Sequence, residues 1–160
     1  SSRFAHFISE KTGADIQAVE AVTLGSHGET MVPVPSLCRV DGKPLVDVLD
    51  PGTIDDLVDR TRKGGAEIVA YLKTGSAYYA PASSVATMVD AIVNNRHMVL
   101  PCAAYLEGEY GINGLYIGVP VKLGAKGIEQ VIEINLTADE RAALQKSADA
   151  VKELVEIIGV

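Results

Sequence analysis

The sequence contains no tryptophan, only two cysteines and about 5% aromatic residues in 160 positions. Cys38 and Cys102 lie far apart and form no Cys-x-x-Cys pair, so neither a disulfide framework nor a zinc ribbon is indicated. We interpret them as buried free thiols in a reducing compartment, and we expect a cytoplasmic protein. No apolar run has the length of a membrane span, and the first residues do not form a signal peptide.

Positive charge is also scarce. The chain has 14 Lys and Arg against 21 Asp and Glu, a formal net charge of -7. The only basic cluster, residues 60–63, fits the outer face of a helix, so we expect neither nucleic acid nor membrane as a partner. A hydrophobic content of 48% in a chain of this length is typical of one globular domain with a sizeable core.

The common phosphate-binding and nucleophile motifs are absent as well. The sequence has no G-x-G-x-x-G, no G-x-x-x-x-G-K-[ST] and no G-x-S-x-G. A metal site built on His27 and Glu29 lacks further ligands, since His6 and His97 have no matching spacing. We therefore expect no metal, and we interpret His6 and His97 as surface residues.

Hydrophobic periodicity predicts an α+β fold with long helices packed on a largely antiparallel sheet. Helices are predicted around residues 1–13, 50–72, from 81 and from 138. Strands are predicted at 19–24, 31–40, 98–106, 115–121 and 128–134. Asp50-Pro51 and the capping box Thr137–Glu140 begin two of the helices, and Asp41-Gly42 indicates a hairpin turn. Gly64-Gly65 interrupts the long helix and suggests a bend or a close backbone contact there.

Against this background, His27 is the most informative residue. It lies in a turn-rich run, residues 24–33, between two β-rich segments. Gly25 and Gly28 lack a Cβ, so the backbone can turn sharply and a ligand can come close. An imidazole on such a loop can give or take a proton near neutral pH, which makes His27 a candidate general acid and base.

Three segments together carry a resemblance to a known family: Ser1-Ser2-Arg3-Phe4, the histidine loop at 25–33, and residues 75–81. In these, the chain resembles the C-terminal, substrate-binding half of malate dehydrogenases of the lactate-dehydrogenase-like type, over essentially all 160 residues. The resemblance implies that His27 carries the proton, that Arg3 grips the substrate carboxylate, and that Ala77 and Pro81 face the substrate and the nicotinamide ring.

The same resemblance implies that NAD is held mainly by a separate N-terminal Rossmann domain, which this chain does not contain. The relay aspartate that precedes Ser1 in the family and the second substrate arginine are also missing. The chain begins without Met inside a predicted helix, so we expect residues 1–160 to be a single domain cut from a longer two-domain enzyme. Alone, it should neither bind NAD nor turn over malate, and it should expose some apolar surface.

Malate and oxaloacetate are the expected substrates, which would place the enzyme in the tricarboxylic acid cycle. Lactate or another 2-hydroxy acid is the nearest alternative, because the residue that best separates these acids lies in the missing half. A third alternative is a catalytically silent oligomerisation fragment. The resemblance further implies a homo-oligomer, a dimer or tetramer, and the nucleotide-binding half as a partner.

Overall fold

The computed structural model describes residues 1–159. The chain divides into two compact units, Ser1–Gly64 with the segment from Asn135 onward, and Gly65–Ile134. The helices are α1 (Ser2–Thr12), α2 (Leu45–Val48), α3 (Pro51–Leu72), α4 (Tyr79–Val93) and α5 (Ala138–Ile158). The strands are β1 (Val19–Glu20), β2 (Thr23–Leu24), β3 (Val32–Pro33), β4 (Arg39–Val40), β5 (Lys43–Pro44), β6 (Met98–Glu107), β7 (Asn113–Gly124) and β8 (Gly127–Val131).

Every strand pair in the described residues is antiparallel, which confirms the predicted fold class. In the first unit, β1, β4 and β5 form one small sheet, and β2 pairs with β3. In the second unit, the three strands predicted from residue 98 onward, β6, β7 and β8, form an antiparallel meander, with Pro101 on the edge strand β6. The predicted strand at 31–40 is split, because Pro35 begins a 3-10 turn between β3 and β4.

The local signals at the ends of elements have the predicted structures. Asp41 and Gly42 both have positive φ, 50° and 75°, as a tight hairpin turn requires. The Asp50 carboxylate accepts hydrogen bonds from the Thr53 amide and hydroxyl at the start of α3. Helix α4 begins two residues before Pro81, because a proline within the first helical turn removes no intrahelical hydrogen bond.

Each unit has an apolar core of its own. In the first, α1 buries Phe4, Phe7 and Ile8 against Leu45 of α2 and the start of α3. In the second, alternate residues of β6 and β7 point inward, as the period of two requires. The buried set is Cys102, Ala104, Leu106, Ile117, Val119 and Val121.

The apolar stripes of α4 and α5 are buried only in part. On α4, Val85 and Val89 are 58% and 51% exposed, and Met88 and Ile92 are half-buried. On α5, Leu144 and Ala148 are buried, whereas Ile158 is 68% exposed. Val85, Val89 and Ile158 therefore leave apolar surface exposed among residues 1–159. No helix of the described chain has the length and hydropathy to span a membrane.

Candidate functional site

Residues 25–31 of the histidine loop connect β2 to β3. Its ends are fixed by the strand pair, in which Leu24 lies opposite Val32. Within the loop, the Met31 amide donates to the Gly28 carbonyl at 3.0 Å. The Ser26 and Thr30 hydroxyls lie 2.6 Å apart and share a hydrogen bond. The loop backbone is therefore closed by contacts of its own.

The start of this loop packs against helix α5. Gly25 has a φ of +84°, and a Cβ at that position would lie 2.6 Å from the Ser147 Oγ, so both conformation and space require glycine. The Ser26 amide donates to the same Ser147 Oγ at 2.8 Å. Ser147 is fully buried. These contacts fix the backbone immediately before His27.

The His27 side chain is exposed. No residue in the described range 1–159 forms a hydrogen bond or ion pair with its ring. The imidazole therefore lies on a fixed backbone, exposed and without a partner among the described residues, as a group that exchanges protons with a ligand requires.

Arg3 projects from the first turn of α1 and is half-buried. Its side chain crosses α3 at Gly64, where a Cβ would lie 2.5 Å from Arg3 Cδ and 3.0 Å from Arg3 Nε. The interruption at Gly64-Gly65 is therefore a close contact between the helix backbone and Arg3. Helix α3 runs through it without a break.

The same turn of α3 also contacts the histidine loop. The Arg62 Nε donates to the Met31 carbonyl at 3.2 Å, at the end of the loop. A second link joins the two supports, because the Thr23 amide at the start of β2 donates to the Ser1 Oγ at 3.1 Å. The structure thus ties the supports of Arg3 and His27 together within the first unit.

Ala77 and Pro81 lie in the second unit, close to each other in sequence. Ala77 is half-buried and lines a shallow groove of about 290 Å³. The groove is otherwise lined by Ile68, Leu72, Tyr78, Tyr79 and Ala80. Pro81 is exposed and follows directly in the first turn of α4. This segment offers an apolar surface next to a small side chain.

The two cysteines and the other two histidines are the remaining candidate residues. Burial raises the pKa of the Cys38 thiol to about 11 and also raises the pKa of Cys102. His97 forms an ion-pair contact with Glu129 at 2.7 Å, and His6 is exposed on α1. Among the described residues, no three His, Cys, Asp or Glu side chains cluster as metal ligands would.

Two residues at this site, Ser147 and Arg62, were not predicted from the sequence. A signal existed for Ser147, since it lies one helical turn from Leu144 and beside Ala148, on the buried stripe of α5. A serine at such a position must find a hydrogen-bond partner. Arg62 gave no such signal, because it lies in a cluster of basic residues that the sequence assigns to solvent.

Comparison with known proteins identifies close relatives. Residues 1–158 match the α/β C-terminal domain of lactate/malate dehydrogenases. The malate dehydrogenase of Chlorobium phaeobacteroides is 58% identical over 96% of this chain and 49% of its own length. The chain spans about half the length of the curated relatives it matches.

Solved structures show the same relation. The malate dehydrogenase structure from Salinibacter ruber has 45% identity and a TM-score of 0.95, covering 99% of this chain and 52% of that one. A Cryptosporidium parvum lactate dehydrogenase, complexed with lactic acid and nicotinamide adenine dinucleotide, has 35% identity and a TM-score of 0.96. That match also covers 99% of this chain and 52% of the lactate dehydrogenase chain.

Proposed function

This chain belongs to the lactate/malate dehydrogenase family, and we propose that it is the catalytic half of an NAD-dependent malate dehydrogenase that interconverts malate and oxaloacetate. The observation that carries the proposal is the shared support of Arg3 and His27. One turn of α3 contacts the Arg3 side chain at Gly64 and the end of the histidine loop through Arg62. Oxidation of a 2-hydroxy acid needs two groups: a guanidinium that binds the carboxylate and an accessible imidazole that exchanges the proton of the hydroxyl.

In this proposal, Arg3 binds the carboxylate next to C2 of the substrate. A planar guanidinium can form two parallel hydrogen bonds to a carboxylate, which fixes both position and orientation. Each hydrogen bond to a charged group contributes about 1.5–3 kcal/mol, and the larger gain in rate comes from orientation. The packing of Arg3 on Gly64 limits the directions that the fork can take.

His27 accepts the proton of the C2 hydroxyl when malate is oxidised. In the reverse direction, the imidazolium polarises the ketone of oxaloacetate and protonates the developing alkoxide. Proton transfer by a positioned side chain contributes about 10²–10⁴ in rate. The exposed, unpaired ring of His27 is compatible with this role, because neither nitrogen is engaged by a residue of the described chain.

The residues present suit only a small part of NAD. Ala77 and Pro81 border an apolar groove, a surface suited to a nicotinamide ring but not to a pyrophosphate. We therefore assign the phosphates and the adenosine to a nucleotide-binding half. When bound, NAD supplies the hydride acceptor. The lactate dehydrogenase relative that is complexed with nicotinamide adenine dinucleotide supports NAD as the dinucleotide.

The test of the two site residues uses the complete enzyme, with both halves. Arg3→Lys keeps the charge but removes the guanidinium that can form two parallel hydrogen bonds, so we expect this variant to lose most activity with malate. His27→Gln should lower kcat by about 10²–10⁴. Arg39→Lys and His6→Gln are matched controls on exposed residues of the same types, and they should keep normal activity. Normal turnover of either site variant would remove that residue from the site.

The isolated chain is also proposed to be inactive, because its sequence has no G-x-G-x-x-G dinucleotide-binding motif. Isothermal titration of residues 1–160 with NAD should show no binding at micromolar concentrations, and malate should not be oxidised. Micromolar affinity for NAD would refute this. Assembly as a homo-oligomer and a cytoplasmic location belong to the same proposal, supported by the exposed apolar helix faces and the buried thiols.

Lactate is the second candidate substrate, favoured by the structural match to the lactate dehydrogenase. Malate is preferred because the relatives that are 47–58% identical are named malate dehydrogenases. Comparing oxaloacetate and pyruvate reduction by the complete enzyme separates the two, and faster reduction of pyruvate would overturn the preference for malate.

A further inference from the structure

Beyond the residues that touch substrate, we infer that Ser147 of helix α5 is a positioning residue that holds the backbone of the catalytic loop at His27. The inference rests on the proposed function for its catalytic consequence, but not for its geometry. Ser147 is 120 residues away from His27 in sequence, and no motif connects them.

The hydroxyl of Ser147 contacts both residues that precede His27. The Ser147 Oγ accepts the Ser26 amide at 2.8 Å, immediately before His27. The same Oγ lies only 2.6 Å from the position that a Cβ of residue 25 would take, so Gly25 and Ser147 fit each other closely. Because Ser147 is fully buried, water cannot replace the lost hydroxyl without a rearrangement.

Other contacts hold other parts of the loop. The hydroxyls of Ser26 and Thr30 close it internally, and Arg62 contacts its far end. The Ser147 contact differs from these because it anchors the residue next to His27 to a helix outside the loop. Loss of this anchor should let the imidazole move while the rest of the loop remains.

The expected effect is on kcat more than on KM. Arg3 binds the substrate carboxylate from α1, and this support does not depend on Ser147. A displacement of about 1 Å in a catalytic group can cost about 100-fold in rate. In the complete enzyme, Ser147→Ala should therefore lower kcat by about 10- to 100-fold and change the KM for malate by less than about threefold.

Two further variants separate positioning from general loss of stability. Ala148→Gly perturbs the adjacent, equally buried position of α5 without removing any side-chain hydrogen bond, so it should leave kcat near the wild-type value. Ser147→Cys nearly keeps the volume and offers a weaker acceptor, so its kcat should be intermediate. If Ala148→Gly lowered kcat as much as Ser147→Ala, or if Ser147→Ala kept the wild-type kcat, the inference would be wrong.

A second measurement does not depend on the reaction. Amide hydrogen exchange in the complete enzyme should be about tenfold faster at Ser26 in Ser147→Ala, and unchanged there in Ala148→Gly. Unchanged exchange at Ser26 in Ser147→Ala would overturn the anchor itself. An inactive wild type would refute the proposed function and the catalytic consequence, whereas the exchange result would still decide the anchor.

Discussion

Replacing Gly64 by alanine tests most directly whether α3 shapes the substrate site. The added Cβ would lie 2.5 Å from Arg3 Cδ, whereas carbon atoms in contact are normally about 3.5–4.0 Å apart. The Cδ atom is in the middle of the side chain, so Arg3 must move by about 1 Å or more to relieve the overlap. The guanidinium of Arg3 then takes a different direction from the one that it has beside Gly64.

The expected magnitude follows from this displacement. A shift of about 1 Å in a positioning group can cost about 100-fold in rate. We expect Gly64→Ala to lower kcat/KM for malate by about 10- to 100-fold in the complete enzyme, largely through KM, because we propose that Arg3 binds the substrate carboxylate. Overpacking costs about 1–3 kcal/mol of stability, and the higher helix propensity of alanine returns about 0.5–1 kcal/mol.

The neighbouring residue provides the control. Gly65 lies on the same helix, and a Cβ there would have no atom within 4 Å. Gly65→Ala should therefore stabilise the protein by about 0.5–1 kcal/mol in urea unfolding and keep normal kinetics. If steady-state kinetics gave the same kcat/KM for both variants within twofold, the reasoning that links Gly64 to Arg3 would be refuted.

Three further predictions concern stability and reactivity. Thr137→Ala should lower the unfolding free energy in urea by about 1 kcal/mol, because it removes the capping box of α5. Burial raises the pKa of Glu140, but hydrogen bonds from Ser36 and Thr137 outweigh it and hold that pKa below its usual value of 4.5. The stability that Glu140 contributes is therefore present above about pH 4.5 and is lost as the pH falls through the lowered pKa. Glu140→Gln should accordingly make the unfolding free energy less dependent on pH below pH 4.5. Cys38, with a pKa of about 11, should react with maleimide at pH 8 only after urea is added, and fast labelling of the native protein would contradict its burial.

Local chemistry explains why much of the fold was predictable from the sequence. The caps at Asp50 and Thr137 and the hairpin at Asp41-Gly42 depend on neighbouring residues, which the sequence displays directly. The alternation of buried and exposed residues in β7 was predictable for the same reason. The exposure of the valines of α4 was not predictable, because periodicity identifies an apolar face without identifying what covers it.

The site shows the same division between local and distant information. The histidine loop was recognisable because its glycines and its imidazole are adjacent. The contact between Gly64 and Arg3 joins residues 61 positions apart, and the one between Ser26 and Ser147 joins residues 121 positions apart. Such pairs depend on how helices pack, so composition and spacing in a single chain do not reveal them.

The loop that carries His27 is stabilised by its backbone and not by its imidazole. Its hydrogen bonds engage the Ser26 amide and hydroxyl, the Met31 amide and the Met31 carbonyl, and none engages the His27 ring within residues 1–159. Substitution of an exposed side chain without such partners changes stability by less than about 0.5 kcal/mol. His27→Gln should therefore unfold in urea like the wild type while losing activity, whereas Ser147→Ala should affect both. This separation is expected because the proposed proton carrier, His27, and the groups that fix its loop are different residues.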